Sequence, residues 1–111
     1  MALTQTRMVG PQTIPTAATT VYTTNANETV IVKQIALTNI TTATSETVTL
    51  WVVPSGQTRG DQYKFLGEVG VFANETTLIN TNIVLTTGDM IDVQASVAST
   101  FNLMINGIVE S

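Results

Sequence analysis

Apolar and polar residues alternate most cleanly toward the end of the chain. Ile91, Val93, Ala95 and Val97 fall on one side of an extended segment, and Asp92, Gln94 and Ser96 on the other. Phe101, Leu103 and Ile105 then alternate with Asn102, Met104 and Asn106. A period of two is the side-chain spacing of a β-strand, so both segments are predicted as strands with one face on a core. The same reading extends upstream. Thr29–Asn39 sets Ile31, Ile35 and Leu37 on one face together with Lys33, which then marks the rim. Thr76–Leu85 turns Ile79, Ile83 and Leu85 inward and Asn80 and Asn82 outward. Residues 47–53 place Val48, Leu50 and Val52 opposite Thr47, Thr49, Trp51 and Val53, and Pro54-Ser55-Gly56 stops the run with turn dihedrals. Residues 20–24 form a shorter candidate. Residues 63–72 contain Gly67 and Gly70, which fit a bulged or bent strand better than a helix.

Strand-sized segments at this spacing, with no convincing helix among them, predict an all-β fold. The expected architecture is an antiparallel β-sandwich, jelly-roll-like, with about seven to eight strands. Residues 1–18 have little periodicity and contain Gly10, Pro11 and Pro15. They are expected to form an N-terminal arm or an irregular edge segment, because Pro cannot donate into a central ladder. Residues 19–111 are then the sandwich domain, and removal of residues 1–15 is expected to leave it folded while impairing assembly. Ala26-Asn27-Glu28-Thr29 and Ala73-Asn74-Glu75-Thr76 echo one another before two strand-like runs. A recurrent polar turn explains the echo better than a duplicated half-domain or equivalent strands in two sheets.

Composition narrows the chemistry. The 111 residues include no His and no Cys, and roughly one residue in five is Thr. His is the usual acid–base group near neutral pH and Cys the most nucleophilic ordinary side chain, and both dominate zinc and copper sites. Enzymatic activity, a metal and a cofactor are therefore not expected. Thr is stiff at χ1 and favours strands. The formal net charge is −4, and Arg7, Lys33, Arg59 and Lys64 are scattered, so the basic footprint of a nucleic-acid binder is missing. No apolar run reaches the roughly 20 residues of a membrane helix, so membrane insertion is not expected. The start lacks the pattern of a secretory signal. Sequons at Asn27, Asn39 and Asn74 are attributed to the abundance of Asn and Thr.

The run Leu85-Thr86-Thr87-Gly88-Asp89-Met90-Ile91 is the strongest local signature and reads as a tight turn, with Gly88 free to take positive φ and Asp89 to bond nearby N–H groups. Asp89 and Asp92 fall short of the six to eight oxygen ligands of calcium. The eight acids, Glu28, Glu46, Asp61, Glu68, Glu75, Asp89, Asp92 and Glu110, fit solvated turns and strand starts better than a glycosidase pair. Ser and Thr lack a His base. Apolar residues on both faces of several strands suggest that a sheet is covered from outside, which motivates a homo-oligomer. Trp51, Tyr63, Met104 and Ile108 are the candidate interface residues, although burial of Trp51 within its own domain is the commoner outcome for such a residue.

In order and spacing, five segments resemble a family of small virion proteins of tailed bacteriophages. They are Ala-Ala-Thr-Thr-Val-Tyr (residues 17–22), the run Thr29–Asn39, Val-Thr-Leu-Trp-Val-Val-Pro-Ser-Gly (48–56), Ala-Asn-Glu-Thr (73–76) and Leu-x-x-Gly-Asp-x-Ile (85–91). The resemblance implies a non-enzymatic structural module of head, neck, tail or fibre, made in the host cytoplasm and residing in the virion. Its expected partners are other copies of itself and other virion proteins. The Gly-Asp turn also resembles trimeric jelly rolls of the tumour-necrosis-factor and complement-C1q kind, which keeps a three-fold assembly in view. The alternative is a receptor- or carbohydrate-binding tip domain recognising a host surface glycan.

Overall fold

The computed structural model describes residues 3–41, 46–97 and 101–110. The first two residues of the expected N-terminal segment and Ser111 lie outside this set. Eight strands are present among the described residues: β1 (Leu3–Thr13), β2 (Thr19–Thr23), β3 (Thr29–Asn39), β4 (Glu46–Val53), β5 (Lys64–Val71), β6 (Thr76–Leu85), β7 (Met90–Ala95) and β8 (Phe101–Glu110). A single 3₁₀ turn, Asp61–Tyr63, precedes β5. The strands form two four-stranded antiparallel sheets, β1-β8-β3-β6 and β2-β7-β4-β5. Apart from the β4–β5 hairpin, every connection crosses from one sheet to the other. This is the jelly-roll order and the all-β sandwich that the alternation predicts.

The core lies between the sheets. One sheet contributes Val9, Val30, Val32, Ile35, Leu37, Leu85, Phe101, Leu103 and Ile105, and the other Val48, Leu50, Val71, Ile91, Val93 and Ala95. Ile14, in the connection from β1 to β2, is also buried there. The segment expected as an arm or irregular edge is thus largely strand β1, paired along its length with β8 and interrupted by register breaks around Val9. Val9 and Ile14 bury two side chains of this irregular edge segment in the core, so removal of residues 1–15 is now expected to destabilise the sandwich.

Three local readings change. In β3 the register slips by one residue between Val32 and Gln34 against both neighbours. A bulge of this kind reverses the alternation. Val30 and Val32 therefore share the core face with Ile35 and Leu37, while Ile31 turns outward and Lys33 is exposed. β7 ends at Ala95, so Val97 leaves the core face and is exposed. The two echoed turns precede β3 and β6, which are antiparallel neighbours in one sheet rather than equivalents in two. Asn27 and Asn74 hold φ of 63° and 60°. Asn tolerates this left-handed conformation better than most residues, which accounts for the echo through turn chemistry alone.

Candidate functional site

Two polar clusters lie toward the end of the sandwich that carries the β2–β3, β4–β5 and β6–β7 loops. The first lies on the outer face of the β2-β7-β4-β5 sheet. Strand register sets Thr20, Asp92 and Trp51 side by side on β2, β7 and β4. After β4, Pro54 and Gly56 (φ 79°) turn the chain back so that Arg59 covers this rung. Its guanidinium stands 5.4 Å from the centre of the Trp51 ring. It also donates from Nη1 to Asp92 Oδ2 at 2.6 Å, while the Thr20 hydroxyl donates to Asp92 Oδ1 at 2.7 Å. Asp92 is 2% exposed and Trp51 7%. Both carboxylate oxygens are occupied, and the arrangement fastens the β4–β5 loop to the sheet rather than presenting an open catalytic carboxylate.

The second cluster centres on Asp89. Its Oδ1 accepts the Ser55 N–H at 2.9 Å, and its Oδ2 accepts the Thr86 N–H at 2.9 Å and the Thr86 hydroxyl at 3.2 Å. The Asp89 carbonyl takes the Thr24 N–H, and Gly88 N–H returns a bond to the Thr24 carbonyl. Gly88 holds φ of 86°, and a Cβ there would collide with the Ser55 side chain. The carboxylate thus ties the β4–β5 loop to its own turn, and the backbone of Gly88 and Asp89 adds the β2–β3 loop at Thr24. Partial burial pushes the Asp89 carboxyl upward, but the hydrogen bonds from Thr86 and Ser55 outweigh it and hold the group below its ordinary 3.8.

A depressed folded-state value stabilises the fold above the unfolded value, and this contribution disappears as pH falls through the folded one. Asp89→Asn is accordingly expected to cost about 1–2 kcal/mol at neutral pH. The gap from the parent chain should close as pH drops below 3.8. Denaturant titrations at several pH values check this, and a gap that stays constant into acid would refute the assignment.

The four candidate interface residues do not converge. Trp51 is covered by its own chain. Tyr63 is half-buried at the end of the 3₁₀ turn, its hydroxyl 3.4 Å from Gln57 Oε1. Met104 and Ile108 lie on the outer face of the other sheet. There, register aligns Met104 with Ala36 and Leu78, and Ile108 with Ile31 and Val84. Between these apolar rungs run Asn106, Gln34 and Asn80, and beyond them Asn102, Thr38 and Thr76. Gln34 bonds Asn80, Thr38 bonds Thr76, and the Lys33 ammonium donates to Asn82. Leu78 and Val84 are 59% and 58% exposed.

Neither residue was singled out from the sequence, although both occupy the even, outward positions that Asn80 and Asn82 define. Arg59 and Thr20 were missed too, and no local pattern points to them. The sequon residue Asn39 is fully buried and donates to the Val71 carbonyl, which closes it to glycosylation in the folded chain. Among the described residues no three His, Cys, Asp or Glu side chains gather as metal ligands, and no helix is long and apolar enough to cross a membrane.

No protein-family model matches the chain, and no curated protein matches its sequence. Solved structures share the fold, two of them as follows. One is a protein of Bacillus endospore appendages, described as a novel family of disulfide-linked pili. It has 14% identity and a TM-score of 0.57, and the match covers 98% of this chain and 88% of that one. The other is a chain of infectious bursal disease virus, Gx strain, with 12% identity, a TM-score of 0.55 and coverage of 97% and 31%. This chain therefore spans less than a third of the viral one. At such identities the likeness extends to the fold alone, the jelly-roll sandwich that the strand order shows. These 111 residues contain no Cys, so they cannot form the disulfide links described for the pili.

Proposed function

We propose that this chain is a non-enzymatic structural component of a bacteriophage virion, a jelly-roll module that assembles with copies of itself and docks onto other virion proteins. The observation that carries the reading is the outer face of the β1-β8-β3-β6 sheet. Apolar rungs alternate there with rungs of amide and hydroxyl groups, and Arg7 and Lys33 are the cations placed among them. Short neutral polar groups can pair across a contact without the desolvation cost of burying charge, and apolar rungs supply the area-dependent term. The fold shared with a pilus protein and a viral chain supports the same reading, as do the five segments that resemble small tailed-phage proteins.

The alternative of a glycan-binding tip loses its main aromatic, because Trp51 is occupied by Arg59. It retains Phe72, 71% exposed in the turn between β5 and β6. Binding of the isolated chain to a glycan array, abolished by Phe72→Ala, would favour it. The structural role is tested by mass spectrometry of purified phage particles carrying this gene. The expected result is the chain present in multiple copies per particle. Its confinement to the particle-free fraction of the lysate would reject the proposal.

A further inference from the structure

We infer that the open edge of β6 is a two-fold seam at which a second copy of this chain docks by antiparallel strand pairing centred on Thr81. The inference rests on the assembly role proposed above and names its contact.

A jelly roll has four edge strands, and three of them here are poor templates. β1 carries Gly10, Pro11 and register breaks. β2 has five residues. β5 contains Gly67 and Gly70 and pairs irregularly with β4. Such features blunt an edge against further pairing. β6 is ten residues long, without Gly, Pro or charge, and keeps an unbroken in–out alternation; its one irregularity is the single register shift against β3 between Ile83 and Asn80. A long, uncharged edge with free N–H and C=O groups invites another strand.

The sequence of β6 identifies that strand. Read outward from Thr81, it is nearly a palindrome: Asn80 mirrors Asn82, Ile79 mirrors Ile83, Leu78 mirrors Val84, and Thr76 mirrors Thr86 just past the strand, with Thr77 opposite Leu85 the one mismatch. In an antiparallel pair related by a two-fold axis through Thr81, those mirrored residues stand directly opposite one another. Each pair also shares a face, because its members differ by an even number of positions. Leu78 and Val84, both largely exposed in the single chain, would cover each other on the outer face. Ile79 and Ile83, partly buried against the core, would complete their burial on the inner face.

The Asn80 and Asn82 oxygens accept from Gln34 and Lys33 on the β3 side, which leaves their amino groups and a second acceptor site for the seam. A self-complementary patch of this kind is what a closed two-fold dimer requires, and it gives a continuous eight-stranded sheet across both copies.

The test uses the intact chain, whose lack of Cys makes any introduced thiol a clean reporter. Sedimentation or light scattering should give twice 11.8 kDa. Leu78→Lys/Val84→Lys should yield a folded monomer, since both side chains are already solvated in the single chain. Thr81→Cys should form a disulfide-linked dimer under mild oxidation, while Asn80→Cys, which faces Asn82 of the second copy, should not.

A parent chain that is monomeric at every concentration, or a dimer indifferent to the two lysines, overturns the seam. A dimer cross-linked through Asn80→Cys and not Thr81→Cys overturns the register. A chain found in phage particles yet monomeric in solution removes this seam alone, whereas a dimer absent from particles removes the virion assignment alone.

Discussion

Arg59→Ala is expected to cost about 3 kcal/mol at neutral pH, a large share of the stability of one small domain. The cost does not come from a lost surface ion pair, which would contribute well under that. It comes from Asp92, 2% exposed, which loses its counter-charge and keeps only the Thr20 hydroxyl. Stranding a buried carboxylate costs about 3–5 kcal/mol, and the lower end applies because the Arg59 side chain itself is partly solvated. The double variant Arg59→Ala/Asp92→Asn should be more stable than Arg59→Ala by about 1–2 kcal/mol, since the neutral amide still accepts from Thr20. Trp51 is the sole tryptophan, so loss of its guanidinium cover should also red-shift the emission of the folded state. Urea titrations followed by that emission read both quantities. If the double variant is the less stable of the two, the explanation through a stranded charge fails.

Period-two alternation made most of the sandwich legible in the sequence. β6 and β8 each carry an uninterrupted alternation of burial, because one face meets the core and the other does not. The reading fails where backbone irregularity interrupts that relation. Lys33 looked like a rim residue on a face with Ile31, since a one-residue bulge has no signature in the pattern it inverts. β1 read as an arm or an irregular edge because its register breaks, Gly10 and Pro11 scatter the few residues that reach the core. The covering of Trp51 depends on an arginine eight positions further on in a polar loop, and on an aspartate brought beside it only by pairing of β4 with β7. Long-range register decides such contacts, and local composition says nothing about register. The Gly88-Asp89 turn is the opposite case: its residue types state their own geometry, and the structure adds only the loops they hold.

Removal of residues 1–15 is expected to abolish cooperative folding. Two side chains leave the core with the segment, Val9 and Ile14, and truncations of that size cost about 2–5 kcal/mol each. The ladder between β1 and β8 goes with them, along with the bonds from Ile14 N–H to the Phe101 carbonyl and from Ala95 N–H to the Pro15 carbonyl. β8 would then become an edge with its backbone groups facing water and its core-facing Phe101, Leu103 and Ile105 under a thinned cover. Together these losses match the roughly 5–15 kcal/mol that holds a typical domain folded. Circular dichroism of the truncated chain should show no cooperative thermal transition, and the chain should self-associate through the exposed β8 edge. Gln5→Ala/Arg7→Ala, which alters only exposed side chains of the same strand, should melt like the parent. A truncated chain that unfolds cooperatively near the parent temperature would show that seven strands suffice, and would return the segment to the role of a detachable arm.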